Sequence, residues 1–331
     1  MRPPPRWIGW TAILAALGAA VALRLLVVRS IGGGFGVGWP GGDLGQLRAH
    51  SVLAAASAGA ALGAAGALLQ ALLRNPLASP FVLGVTGGAG SGVAVASLLA
   101  AWAGLAAPAG ATLAFPAALG AIAALGIVLA ISRRAGGIDP VLLILGGVVV
   151  GALASALSTV AESLLPPDRR GLLAGWMFGR IPDSPEAALL SASAVSAAAL
   201  AGLGAWLGPS IDAATLSDDE ARASGVPLGV MRTGLFVACG IATAATVVLC
   251  GPIAFVGLLA PHCARAAVGP LARALVPASA CAGAALLVSA DVLRQWIDVG
   301  GGRLPLGAVT AVLGGGAFLF LLRRTAAGWS R

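Results

Sequence analysis

Lysine is absent from this chain of 331 residues, and charge of any kind is scarce. Charged residues make up 10% of the sequence and hydrophobic residues 59%, where a soluble domain carries about a quarter charged residues. That deficit excludes a soluble globular protein, because most of the surface has no water to face. Without lysine there is no phosphate loop of the GxxxxGK[ST] type, so Gly87-Gly88-Ala89-Gly90-Ser91-Gly92 reads as a segment for close helix contact. None of the four cysteines, Cys239, Cys250, Cys263 and Cys281, forms a CxxC pair. Lying in or beside apolar runs, they fit thiols that pack as small hydrophobes better than a disulfide framework. No Pro/Ser-rich linker and no long charged run marks a soluble domain. The ~10-residue alternation of a membrane β-barrel is also missing. With two histidines and no cluster of metal ligands or nucleophile triad, membrane-embedded enzyme chemistry has little support. Asp291 and Glu162 fall near the ends of apolar runs, whereas ion-coupled carriers place ionisable residues near the midplane.

What is present is a succession of long apolar runs. A membrane-crossing helix takes about 20 residues, and the runs predict spans near 7–28, 51–73, 85–105, 111–131, 140–163, 186–207, 233–251, 253–264, 274–296 and 305–322. The whole chain, 1–331, thus reads as one polytopic all-α membrane domain with about ten helices. Span eight is too short to cross alone and predicts a broken or partial helix inside the bundle. Span one is preceded by a basic, Pro-rich segment, Met1 to Arg6, but its run is long and no clean cleavage site follows, so it reads as a retained helix. All 20 cationic residues are arginine. With the N-terminus inside, twelve fall on the cytoplasmic side, seven on the other, and Arg24 lies within span one. The positive-inside rule therefore places both termini in the cytoplasm and explains the basic balance without nucleic acid. Glycine recurs at small-xxx-small spacing, as in Gly59, Gly63 and Ala67, which allows membrane helices to approach closely. The GAAL strings at 59–62 and 283–286 read as a coincidence of composition, not as a repeat.

Three segments break this pattern. Arg74-Asn75-Pro76-Leu77-Ala78-Ser79-Pro80 interrupts a helix. Proline lacks an N–H and pushes its predecessor out of the helical region, so the helix ends near Asn75. This is a basic corner at a membrane surface, either a plain turn or a contact for a partner. In the second segment, 251–265, Pro252 and Pro261 are expected to bracket a short apolar helix ending in His262 and Arg265. His262 and Cys263 point apart on a helix and lack a third ligand, so a kinked helix is a better reading than a metal site. The third is the loop 209–232. Ser217-Asp218-Asp219-Glu220 has capping-box spacing, Asp218 and Asp219 suit a helix N-terminus, and Gly225 followed by Pro227 ends the helix. It reads as a short surface helix, serving either as loop packing or as a lever for a soluble partner.

Taken in order, these pieces resemble one family. The stretch 59–92, Trp176-Met177-Phe178-Gly179, Ala221 to Gly225, 251–269, Ala290-Asp291 and 304–314 are similar to the membrane permease subunit of FecCD-type ABC importers, over most of residues 48–324. That family includes vitamin B12, haem and iron–siderophore importers. The resemblance implies a type II ABC importer permease fold with ten membrane helices, working as a homodimer in the bacterial inner membrane. Two ATPase subunits on the cytoplasmic face would bind the ATP, a substrate-binding protein would dock outside, and this chain would hold no cofactor. It implies ATPase coupling through Asn75, Pro76, Leu216, Ser217, Asp218, Glu220, Ala221, Arg222 and Gly225. Arg48, Arg294 and Arg303 would meet acidic residues of the binding protein. Gly251, Pro252, Gly257, Pro261, His262, Arg265, Asp291 and Pro305 belong to the family's structural motifs. Ser51 stands where a second arginine is usual after Arg48, and Ser217-Asp218 where Gly-Glu is usual. Spans two and five are expected to line a dimer-interface path for a bulky metal chelate, a ferric siderophore foremost, with haem or cobalamin as other cargoes. An ion-coupled secondary transporter is the alternative.

Overall fold

The computed structural model describes residues 5–29, 34–39, 41–106, 108, 110–134, 137–297 and 304–329. Helix dominates. Eight helices are long and apolar enough to cross a membrane: α1 (Arg6–Leu26), α2 (Asp43–Leu72), α3 (Val85–Trp102), α4 (Ala114–Ser132), α5 (Pro140–Leu164), α7 (Ala187–Trp206), α10 (Leu228–Cys250) and α12 (Ala272–Trp296). Two shorter apolar helices, α11 (Val256–Val268) and the Leu306–Phe320 part of α13 (Leu306–Trp329), bring the apolar helices to the ten expected. Three further short helices are α6 (Pro167–Met177), α8 (Gly208–Ala214) and α9 (Asp218–Ala223). Two small antiparallel hairpins, β1 (Val27–Arg29) with β2 (Phe35–Val37) and β3 (Arg133–Arg134) with β4 (Gly137–Ile138), turn the chain at helix ends.

One expectation is corrected here. Pro261 does not bound span eight but lies inside α11, which continues to Val268. An internal proline deprives the carbonyl four residues earlier of its helical donor, and that carbonyl belongs to Gly257. The backbone of α2 is pressed against it: a Cβ added to Gly66 would lie 1.8 Å from the Gly257 oxygen. The close approach of α2 thus falls on the carbonyl that the proline leaves without its helical donor.

α2 and α12 form the buried centre, each hidden along most of its length. Their approach depends on missing side chains. A Cβ on Gly59 would fall 2.3 Å from the Gly283 oxygen, and one on Gly283 would fall 2.1 Å from the Gly59 oxygen. The two GAAL strings therefore meet face to face, although nothing relates them as a repeat. One turn on, Gly63 abuts the Ser279 carbonyl. A second seam of the same kind joins α3 to α4, where Gly88 and Gly120 oppose each other. Without a hydrophobic drive between helices in lipid, such close backbone contact is what holds them together.

Three non-helical stretches meet inside the bundle and tie its halves. The Arg180 N–H donates to the Cys250 carbonyl at 2.7 Å, Leu306 N–H to Gly179 at 3.2 Å and Gly307 N–H to Phe178 at 2.9 Å. Gly179 and Gly251 have φ of 68° and 71°, where a side chain would be strained and would strike Pro252 and Trp176 backbone oxygens respectively. Irregular backbone survives at membrane depth only when protein satisfies it. This junction unites the Trp176–Gly179, Gly251–Phe255 and Leu304–Gly307 motifs.

Candidate functional site

At the C-terminal end of α2 the chain builds a stiff corner. Ser217 caps α9: its Oγ accepts from Glu220 N–H at 3.1 Å, while the Ser217 N–H donates to Glu220 Oε2 at 2.9 Å. These bonds hold the exposed Glu220 carboxyl below its ordinary range. The helix closes on Gly225 at φ 79°, with Val226 N–H reaching the Ala221 carbonyl at 3.1 Å. Ala221 is fully buried, and Leu216 is exposed.

Asp218, the first residue of α9, joins this helix to the bundle. Arg232, near the start of α10, grips it in bidentate fashion at 2.8 and 3.0 Å. Arg74 donates to it at 2.6 Å and also to the Ala214 carbonyl at 3.0 Å. Hydrogen bonding and charge from Arg232, then from Arg74, pull the carboxyl down to about 2 against the desolvation that opposes them. Arg74 holds φ at 46°, unusual for a non-glycine residue. Asn75 accepts from Leu77 N–H at 2.9 Å and so shapes the turn before Pro76. A second staple lies beside the first: Asp212 of α8 accepts from Ala272 N–H at the start of α12, and burial pushes its carboxyl up. Asn75, Pro76, Leu216, Ser217, Asp218, Glu220, Ala221, Arg222 and Gly225 therefore fall on one connected corner. Arg222 contributes only an exposed contact with Asp219 at 3.3 Å. The residues that sequence reasoning missed are Arg74 and Arg232 as partners of Asp218. Their separations of 144 and 14 positions follow no helical period.

The opposite end of α2 differs from expectation. Arg294 is buried, and its Nε donates to Asp291 at 2.6 Å; Arg24 of α1 does the same from the other side at 2.6 Å. Gln295 adds a bond to the carboxylate at 3.2 Å. A charge taken out of water must be paired, so Arg294 is turned inward to Asp291 and cannot present itself to a docking partner. Arg303 lies outside the described residues. Arg48 remains half-exposed, with one bond to the Leu25 carbonyl at 3.0 Å. Ser51 is buried and donates toward the Leu47 and Pro182 carbonyls and Asp183. An arginine at that position would have to open this contact.

His262 donates from Nδ1 to the Leu258 carbonyl at 2.7 Å and meets Phe318 edge-on. Arg265 reaches Gln70 of α2 at 3.3 Å. Among the described residues no group of three or more His, Cys, Asp or Glu is placed to hold a metal. Of the cysteines, Cys239 and Cys250 are buried as expected, but Cys263 is exposed.

A cleft of about 430 Å³ opens between α3 and α5, lined among others by Thr86, Gly90, Gly151, Ser155, Ser158 and Met177. No charged side chain lines it. α5 thus borders this cleft, whereas α2 does not line it and is enclosed by other helices along most of its length, because its glycines draw α11 and α12 onto it.

Residues 44–324 match the model of the FecCD transport family. The chain is 37% identical over 285 residues to the vitamin B12 import system permease protein BtuC of Vibrio cholerae, covering 84% of this chain and 82% of that one. It is 36% identical over 281 residues to the Fe(3+)-citrate import system permease protein YfmD of Bacillus subtilis, covering 85% and 81%. Among solved structures, an inward-facing metal-chelate type ABC transporter shares the fold, with a TM-score of 0.82 and 23% identity over 95% of this chain and 98% of that one. PsaBC of Streptococcus pneumoniae is a more distant neighbour, with a TM-score of 0.55 at 18% identity over 83% and 90%. With the family match running from α2 into α13 and taking in the α9 corner and the central junction, the chain belongs to the FecCD transport family.

Proposed function

We propose that this chain is the membrane-spanning permease subunit of an ABC importer, carrying a bulky metal chelate inward through a homodimer. The observation that carries this reading is the capped α9 helix, fixed by Asp218 to the ends of α2 and α10. A helix held in this way moves as a rigid body with the membrane helices, so a partner pushing on α9 shifts the bundle. The partner is a pair of ATPase subunits, which bind and hydrolyse ATP on the cytoplasmic face. Exposed Leu77 and Leu216 flank the corner and suit such a contact. A substrate-binding protein docks on the other face, where Arg48 stays accessible while Arg294 is turned inward. Both termini lie in the cytoplasm of a bacterial inner membrane, in keeping with the arginine distribution. A ferric siderophore is the leading cargo, since relatives carry names that include siderophore, ferric citrate and vitamin B12 import.

Uptake of radiolabelled ferric siderophore, haem and cobalamin into proteoliposomes tests the reading. These contain the chain with its ATPase, ATP inside and binding protein outside. ATP-dependent accumulation of one compound is expected. Transport driven by an ion gradient without the ATPase would make the chain a secondary carrier instead.

A further inference from the structure

α3 begins inside the bundle instead of at its surface. Gly84, its cap, lies against α5, with an added Cβ only 3.1 Å from the Gly147 oxygen and 3.4 Å from Gly151 N. Gly147 is seven residues past Pro140, the first residue of α5, or about 10 Å along the helix axis. The first turn of a helix leaves its N–H groups without intrahelical acceptors and carries roughly half a positive charge. Here that turn borders the α3–α5 cleft. Thr86, the second residue of α3, is 8% exposed, lines the cleft, and has no hydrogen-bond partner for its hydroxyl among the described residues. Glycines at 87 and 90 keep this part of the wall open, and Ser155 and Ser158 face it from α5. Apart from the helix terminus the lining is uncharged, so its field is not cancelled locally. In low-dielectric surroundings such a field acts strongly, and broken helices of transporters aim such ends at anionic groups.

We propose that this cleft is a transit site for an anionic oxygen of the cargo, a carboxylate or another deprotonated oxygen donor of a metal chelate. The Thr86 hydroxyl and the first-turn N–H groups of α3 donate to it. The site favours oxygen-rich, negatively charged chelates over cationic ones. Its cargo assignment rests on the importer reading above, but its charge preference is a property of the cleft.

The test uses the permease with its ATPase in nanodiscs, in a Cys263→Ser, Cys281→Ser background that removes the more accessible thiols. Thr86→Cys is labelled with a sulfonate-bearing and a trimethylammonium-bearing methanethiosulfonate, each rate divided by that with a free small thiol. The anionic reagent is expected to be favoured about three- to thirty-fold, the effect of opposite unit charges at a helix terminus. Ser155→Cys on the other wall should show a smaller preference, and ferric citrate should slow labelling at position 86. Gly90→Cys serves as a second reporter, since a Cβ there meets nothing closer than 3.7 Å. Equal or cation-favoured labelling at both reporters, no labelling at either while Ser155→Cys reacts, or no protection by ferric citrate would overturn the site. Failed uptake with the charge preference intact would sink the importer reading alone; uptake without the preference would sink the site alone.

Discussion

Asp291 and Asp218 are each shared between two guanidinium groups, but they differ in their access to water. Asp291 is fully buried with Arg24 and Arg294, so removing one arginine leaves a single ion pair but takes away a charged hydrogen bond that no water replaces. Arg24→Ala and Arg294→Ala should each cost ~1–3 kcal/mol, the worth of a buried hydrogen bond to a charged group, read as a lowered midpoint of thermal unfolding in detergent. Arg48→Ala should leave that midpoint nearly unchanged and instead weaken binding-protein association, with a reduced salt dependence. A loss of docking at Arg294→Ala with undiminished stability would contradict its inward role. Asp218 is about a third exposed and titrates. Its carboxyl is depressed from 3.8 to about 2, so the joint contributes stability that is complete above pH 4 and is lost as the pH falls through 2. A fluorophore at Ser224→Cys should report this as falling anisotropy between pH 4 and pH 2, absent in Asp218→Asn.

Between helices, the decisive groups are side chains that are missing. Gly63→Ala would put a Cβ 2.1 Å from the Ser279 oxygen between α2 and α12, and should cost ~1–3 kcal/mol by overpacking. Gly126→Ala on α4 meets nothing within 4 Å, and should be neutral or stabilising by up to ~1 kcal/mol. Thermal unfolding of the two variants side by side checks the contrast. Hydropathy made the ten apolar helices legible, and capping chemistry made α9 legible, because both are local. α6 and α8 were not, since each is short and its helical form depends on neighbours. The clasp from Arg24 to Asp291 spans 267 positions, and no periodicity links residues so far apart. The same blindness assigned Arg294 to a docking face. Charge counting sees a cation near a loop, not the carboxylate one turn back on its own helix.

For the molecule as a whole, the corner at the end of α2 is where a short loop helix is tied by charge, through Asp218, to Arg74 just past α2 and to Arg232 of α10. Gly225→Pro should sever its use: φ at 79° is closed to proline, so the helix exit must change while the spans still insert. ATP hydrolysis by the assembled complex should persist as uptake collapses, measured as the ratio of phosphate released to cargo accumulated. An unchanged ratio would remove α9 from the coupling path.

The Arg24–Asp291 contact also bears on how the chain is made. α1 leaves the ribosome carrying a cation whose counter-charge is translated 267 residues later, which at 5–20 residues per second is roughly ten seconds to a minute. Throughout that interval α1 is an incompletely neutralised guest of the insertion machinery, and only the arrival of α12 closes the clasp. A nascent chain stalled before residue 291 therefore keeps an arginine in its membrane helix without the carboxylate that pairs it in the finished fold.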